Sequence, residues 1–226
     1  MVFILVVLTV VIFIGVDFLL RREDKMITES TRSKKTPIFL SPDKALVPIE
    51  DDENKLYHIS HTWSLSKDSD EIYIGYDDFI STIFSSDVNI NIIHPVGTHI
   101  LQGSAIWEVY SGNNRISQLA PLSGTVTEIN PACTMNIPLS SKQTEKSWIV
   151  KIQGDNIKNE TNNLMKHTQA KTINAFLRDE LIMQAQQDQY LNDGGNIDPD
   201  YIKNMKSKEW NLLLDKFFPY HKQFVI

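Results

Sequence analysis

Glu108-Val-Tyr-Ser-Gly-Asn-Asn-Arg-Ile-Ser-Gln-Leu-Ala-Pro-Leu-Ser-Gly124 is the stretch whose reading decides the fold of this chain. Its centre, Ser111-Gly-Asn-Asn-Arg115, is rich in the Gly and Asn that close β-hairpins, because both tolerate the backbone angles a tight turn demands. Ala120-Pro-Leu-Ser-Gly124 then turns the chain into a further strand. The stretch contains no primary amine. No lysine occurs anywhere between Lys67 and Lys142, and Asn113, eight residues before Pro121, carries only a carboxamide, as does Asn114.

Working outward, the same β rhythm runs from Leu56 to Gln153. Tyr57–Leu65 alternates around Trp63. Glu71–Gly75 is a short strand. Asp87–Ile93 alternates polar and apolar, as a strand with one wet face does. His94-Pro-Val-Gly97 turns into Thr98–Leu101, Gln102-Gly103 turns into Ala105–Val109, and Gly124–Ile129 and Trp148–Ile152 follow. Many short strands with turn signals every 8 to 12 residues or so predict a small all-β barrel or sandwich. Asp77–Phe84 interrupts the rhythm and reads as a two-turn helix with Phe79, Ile80, Ile83 and Phe84 on its apolar side.

The order of these signals resembles the glycine cleavage system H protein over about residues 57 to 165. His61-Thr-Trp63 stands where that family opens with a His-x-Trp strand. Gly75-Tyr-Asp-Asp78-Phe79 matches its Gly-x-x-Asp-Phe helix start, and Asp87–Ile93 with Pro95-Val-Gly97 its next strand and turn. Gln102-Gly103, the hairpin with Ala120–Asn130, and Trp148–Ile152 complete the series. The resemblance implies a mainly β, lipoyl-like barrel-sandwich hybrid. It also implies a lipoylated lysine at the hairpin turn, and here this chain departs from the family. The family's Glu-Ser-Val-Lys is replaced by Tyr110-Ser-Gly-Asn113, so Asn113 occupies the degenerate lipoylation position. The acidic residue four positions later is Ser117. Neither a lipoyl group nor any other cofactor is expected.

Two segments lie outside that plan. Residues 2 to 20, from Val2-Phe3 to Leu20, form a predominantly apolar run with one charge, Asp17. As a helix they would span roughly 30 Å, one hydrocarbon core. Nothing basic precedes the run, while Arg21, Arg22 and Lys25 follow it, so it reads as a retained transmembrane anchor rather than a signal peptide. Positive flanks stay cytoplasmic, which predicts a short N-terminus outside and the soluble part inside. Residues 21–53 read as a linker with Pro37, Pro42 and Pro48 and a short edge strand at Ile38–Leu40. Residues 54–165 form the β domain, and residues 166–226 a helical extension. In the extension Ile173, Phe176, Leu177, Leu181 and Ala185 give one apolar stripe of a helix over about 168–191. Asp198 caps a second helix with Pro199 at its first position. Its stripe runs through Ile202, Met205, Trp210, Leu213, Leu214 and Phe217, and Pro219 stops it.

Composition excludes several classes. A net charge of −6 argues against a nucleic-acid partner. The single Cys133 allows no intrachain disulfide and, with scattered His, no zinc cluster of the usual spacing. His58 and His61 would point to opposite faces of one strand, which separates them as metal ligands. His94 and His99 flank a turn and read as solvent-exposed. Trp107 and Trp148 read as core. No phosphate loop, Ser-His-Asp order or carboxylate pair stands out, so the chain is not expected to be an enzyme.

Two surfaces remain for interaction: the turn at Gly112, Asn113, Asn114 and Arg115, and the wide apolar face of Trp210, Leu213, Leu214, Phe217 and Phe218. The second folds back on the barrel or buries against another subunit. The favoured expectation is a non-catalytic, non-lipoylated, membrane-anchored accessory subunit of a multi-subunit membrane complex, of respiratory or transport kind, in contact with the bilayer and with other membrane subunits. The alternatives are a membrane-fusion adaptor of an efflux system, or a genuine lipoyl carrier using a lysine elsewhere.

Overall fold

The computed structural model describes residues 52–223 apart from 68–69, 85–86, 136, 192–193, 195–196 and 199, together with Leu46, Pro48 and Ile49. All of these belong to one compact unit. Val2, Phe3, Leu20, Arg21 and Arg22 of the expected anchor, and the edge strand expected at Ile38–Leu40, lie outside the described residues. Among the described residues no helix is long and apolar enough to cross a membrane.

Eleven strands are described: β1 (Leu56–Tyr57), β2 (Thr62–Ser66), β3 (Glu71–Tyr76), β4 (Asp87–Ile92), β5 (His99–Ile100), β6 (Ala105–Ser111), β7 (Asn114–Leu119), β8 (Gly124–Ile129), β9 (Leu139–Ser140), β10 (Val150–Gly154) and β11 (Met165–Lys166). They pair in two antiparallel sheets, of order β11-β1-β2-β3-β10-β8-β5 and β7-β6-β4-β9. Their inward residues meet in one core, where Ile72, Ile74, Val109, Ile116 and Ile152 are all 1% exposed or less. This is a mainly β sandwich closed by helices. Gly124, the last residue of the deciding stretch, is required by a close approach: a Cβ there would run into the carbonyl oxygen of Gln153 on the neighbouring strand.

The helices are α1 (Asp78–Ile83), α2 (Ser141–Thr144), α3 (Ile157–Glu160), α4 (His167–Gln187), α5 (Asp200–Asn204) and α6 (Ser207–Phe217). Helix α1 starts where it does because the Asp77 carboxylate accepts from the backbone N–H of Phe79. Phe79, Ile80 and Ile83 of α1, with Phe84 just beyond it, are buried.

Three readings of the sequence need correction. Tyr57–Leu65 is not one strand. His58–His61 is a tight turn between β1 and β2, with His61 at φ 64, so the face argument for the two histidines does not apply. The second helix of the extension is two, because the chain bends at Met205-Lys206 between α5 and α6. Pro219 begins a 3-10 turn after α6, over Pro219–Gln223. The third concerns the stripe of α4. Its buried positions are Ala170, Asn174, Leu181 and Ala185, while Ile173 and Phe176 are 43% and 64% exposed. The helix is apolar on two sides, and the sequence reading merged them. Positions 170, 174, 181 and 185 repeat at helical spacing and share one face.

Candidate functional site

The site begins with the turn. Ser111 and Asn114 are directly paired, leaving Gly112-Asn113 as a two-residue hairpin loop. Gly112 has φ 59, the positive angle that the first central position of a type II′ turn requires. Gly112, Asn113 and Arg115 are exposed, whereas Asn114 is 3% exposed.

Asn114 is buried because the C-terminal helices close over it. Its Nδ2 donates to the carbonyl oxygens of Ile202, at 2.5 Å, and Met205, at 3.2 Å. Those carbonyls belong to the end of α5 and to the bend before α6, where the following turn of helix that would donate to them is missing; Ile202 also accepts from the Met205 N–H at 3.2 Å. The tip is crowded by the same segment. A Cβ on Gly112 would lie 3.5 Å from the carbonyl oxygen of Lys203 and 3.7 Å from its Cγ. Thus a lysine does stand at the hairpin tip, contributed by α5.

Trp210, Leu213, Leu214, Phe217 and Phe218 are all 7% exposed or less and form part of the same core as the sheets. They do not present a free apolar face. Trp210 packs on Phe84 with ring centroids 6.2 Å apart, and Phe217 on Phe79 at 5.7 Å. Phe218 meets His61 edge-on at 5.5 Å. Burying each such side chain is worth about 1.5–3 kcal/mol, enough to hold the helices on the barrel. Leu212, on the outer side of α6, is 60% exposed.

A polar network, buried at His61, Asp77 and Asn174 and open to solvent at Asp78 and Arg178, fastens α4 to the barrel. His61 Nδ1 lies 3.0 Å from Asp77 Oδ2, and Asn174 Nδ2 donates to Asp77 Oδ2 at 2.8 Å and to Asp78 Oδ1 at 2.7 Å. Arg178 Nη2 donates to Asp78 Oδ2 at 2.6 Å. Asp77 therefore caps α1 and anchors α4 with the same carboxylate. Asn174 was hidden in the sequence inside an apolar stripe; a polar residue at an inward helical position was the one signal that could have found it. Asn114 was singled out with the rest of the turn, but its partners in α5, and the approach of Lys203, depend on contacts far apart along the chain and carried no signal.

The remaining candidates are placed as follows. Burial lowers the His58 imidazole to about 4, aided by the charge of His61, and its Nδ1 is hydrogen-bonded to Ser60 Oγ at 2.8 Å. Burial pushes the Cys133 thiol up to about 12, far from a thiolate at neutral pH. His94 Nε2 is hydrogen-bonded to the Ala105 carbonyl at 3.0 Å, and His99 pairs with Asp155 at 2.5 Å. Trp107 is fully buried, and Trp148 is half-buried under Lys151. Among the described residues no group of three or more His, Cys, Asp or Glu side chains converges to hold a metal ion.

With that geometry in place, comparison with known proteins gives the family. The sequence profile described as Glycine cleavage H-protein matches residues 55–176, just over half of the chain. The chain belongs to the glycine cleavage H-protein family. Its similarity to the probable glycine cleavage system H protein of Thermococcus kodakarensis is 26% identity over 113 residues, covering 50% of this chain and 84% of that one. With glycine cleavage system H protein 1 of Aquifex aeolicus it shares 32% over 92 residues, covering 41% of this chain and 62% of the relative. A crystal structure of the glycine cleavage system H protein from Mycobacterium marinum aligns with TM-score 0.41 and 17% identity, over 54% of this chain and 98% of that chain. The H-protein match ends inside α4, so α5 and α6, which cover the hairpin tip, lie beyond it.

Proposed function

We propose that this H-protein-like chain is a non-catalytic subunit that carries no lipoyl group, anchored in the bilayer by residues 2–20 and serving as a rigid adaptor in a multi-subunit membrane complex. The observation that carries the reading is the turn itself. A lipoyl amide needs a primary amine, and the hairpin loop is Gly112-Asn113, whose only side-chain nitrogen is a carboxamide. The residues of the turn do not fit the group. Asn114 adds support, since a hairpin tied into α5 and α6 is held rigid rather than presented as a free arm. The 19-residue apolar run and the basic residues after it support the anchor and a cytoplasmic domain.

A second reading has one observation in its favour. Lys203 lies against the hairpin tip, so a carrier using a lysine from α5 would place its arm close to the family's position. One experiment separates the two. The protein is extracted from native membranes in mild detergent, its intact mass is measured, and the proteins that travel with it are identified. An unmodified mass with a stoichiometric set of membrane proteins is the expected result. A gain of about 188 Da mapping to Lys203 would replace the adaptor with the carrier.

A further inference from the structure

We propose that the outer edge of β7 is a docking groove for an extended segment of a partner protein, which adds to the sheet as a further strand. The proposal deepens the adaptor reading, and rests on it, by naming the surface through which a partner is held.

Strand β7 ends the four-stranded sheet. The pair Ser111–Asn114 flanks a two-residue turn, so it exchanges main-chain hydrogen bonds, and so does every second pair after it, Val109–Ile116 next. The intervening residues Arg115 and Ser117 must turn their N–H and C=O groups away from β6. The pairing of β6 with β4 through Tyr110 and Glu108 has the same alternation. Among the described residues nothing bonds to the main chain of Arg115 or Ser117. Such an edge is a template for another strand; no proline lies along Asn114–Leu119, and the one register shift with β6, between Ala105 and Trp107, falls at its far end opposite Gln118 and Leu119.

The edge also has an opposite wall. A groove of about 330 Å³ is lined by the consecutive residues 113–117, with Glu108 of β6 beside them, on one side and by Ser207, Trp210, Asn211 and Leu214 of α6, with His221 beyond it, on the other. Residues of β7 that point to both faces line it together, so it runs along the strand's edge, and Glu108, paired with Ser117, borders its outward side. Positions 207, 210, 211 and 214 are one face of α6. An edge strand facing a helix across a narrow groove accepts one extended chain, with main-chain bonds for affinity and alternate side chains for selectivity.

The walls fix the chemistry of that chain. Residues pointing inward would meet only the exposed rims of Trp210 and Leu214, 5% and 7% exposed, above the buried Ile116, which favours short apolar side chains. Residues pointing outward would lie beside Arg115, whose side chain is 63% exposed. Its nearest carboxylate, Glu108, is 3.6 Å away and already accepts from Asn91 Nδ2. The partner segment is therefore one that alternates apolar and acidic residues.

The test uses the full chain in detergent micelles and a peptide of three valine–glutamate repeats. Saturating peptide is expected to slow exchange of the Arg115 and Ser117 amides by about tenfold or more, while leaving neighbouring β7 amides unchanged. Ser117→Pro removes one outward donor without touching the pairing with β6 and should weaken binding about fivefold. Arg115→Glu should reverse the preference toward a valine–lysine peptide. A peptide N-methylated on its pairing amides should not bind, a control independent of how the variants fold. Unchanged exchange at about 1 mM peptide would overturn the proposal. So would amides already protected in the chain alone, whether by a second copy, seen as a doubled mass in solution, or by residues 21–45, seen as protection lost on their removal. None of these readouts depends on whether Lys203 or any other residue is lipoylated, so failure here and failure of the adaptor reading are distinguishable.

Discussion

The side-chain amide of Asn114 donates to the main-chain carbonyl of Ile202, 88 residues further along the chain, at 2.5 Å. A second donation, to Met205 at 3.2 Å, uses the other hydrogen of the same nitrogen. One carboxamide thus satisfies two carbonyls at the end of α5 and the bend that follows. Asn114→Ala removes the side-chain donor from the Met205 carbonyl and leaves Ile202 only the Met205 N–H, in a buried site, a loss of about 1–3 kcal/mol. For a chain of this size that lowers the thermal midpoint by roughly 3–9 °C, readable by circular dichroism. Asn114→Asp should be worse at pH 7, because a carboxylate facing carbonyls repels them, and should recover as the pH falls and the carboxyl becomes a donor.

The two sides of α6 should behave oppositely. Trp210 is 5% exposed against Phe84, and Trp210→Ala should cost about 3–5 kcal/mol. Leu212, at 60% exposure, should lose no more than about 0.5 kcal/mol on replacement by Ala. Denaturant midpoints for the two variants check this. A small effect at Trp210 would mean that the helices are not part of the barrel core.

His58 predicts a pH dependence. Burial, with a smaller contribution from His61, holds its folded-state pKa at about 4, below the unfolded value of 6.5. Between those values the unfolded chain binds the extra proton, so this contribution to stability is complete above pH 6.5, falls as the pH drops toward 4, and is constant below that. At about 1.4 kcal/mol per pH unit the loss across that window is roughly 3 kcal/mol. His58→Gln, which does not titrate, should flatten unfolding free energy between pH 7 and pH 4 relative to the unsubstituted chain. Parallel curves for the two proteins would refute the assignment.

Gly124→Ala should be poorly tolerated. The added methyl would meet the backbone carbonyl of Gln153, which cannot move without breaking the pairing of β8 and β10. Overpacking against a fixed neighbour costs about 1–3 kcal/mol or more. Gly97→Ala is a useful contrast: its φ of 90 carries strain, but nothing lies within 4 Å of the added Cβ. Comparing the yield of folded protein and the unfolding midpoint of the two variants separates a packing clash from backbone strain.

The sequence by itself carried what short-range physics encodes. Period-2 alternation placed most of the strands, the Gly- and Asn-rich Ser111–Arg115 the hairpin turn, and the apolar spacing of Asp77–Phe84 helix α1, because each depends on residues a few positions apart. The absence of a lysine from 68 to 141 is a property of the sequence alone. The tertiary structure alone decided the rest. It showed that α5 and α6 share the barrel core, that Asn114 rather than Asn113 is the residue they seize, and that Lys203 arrives at the hairpin tip. It also showed that α4 turns Asn174 inward and Phe176 outward, although both sit in one amphipathic pattern. These facts rest on contacts 88 to 97 residues apart, such as Asn114 to Ile202 and Asn174 to Asp77. No local propensity specifies such contacts; they are selected by the shape and polarity of the surfaces that folding brings together.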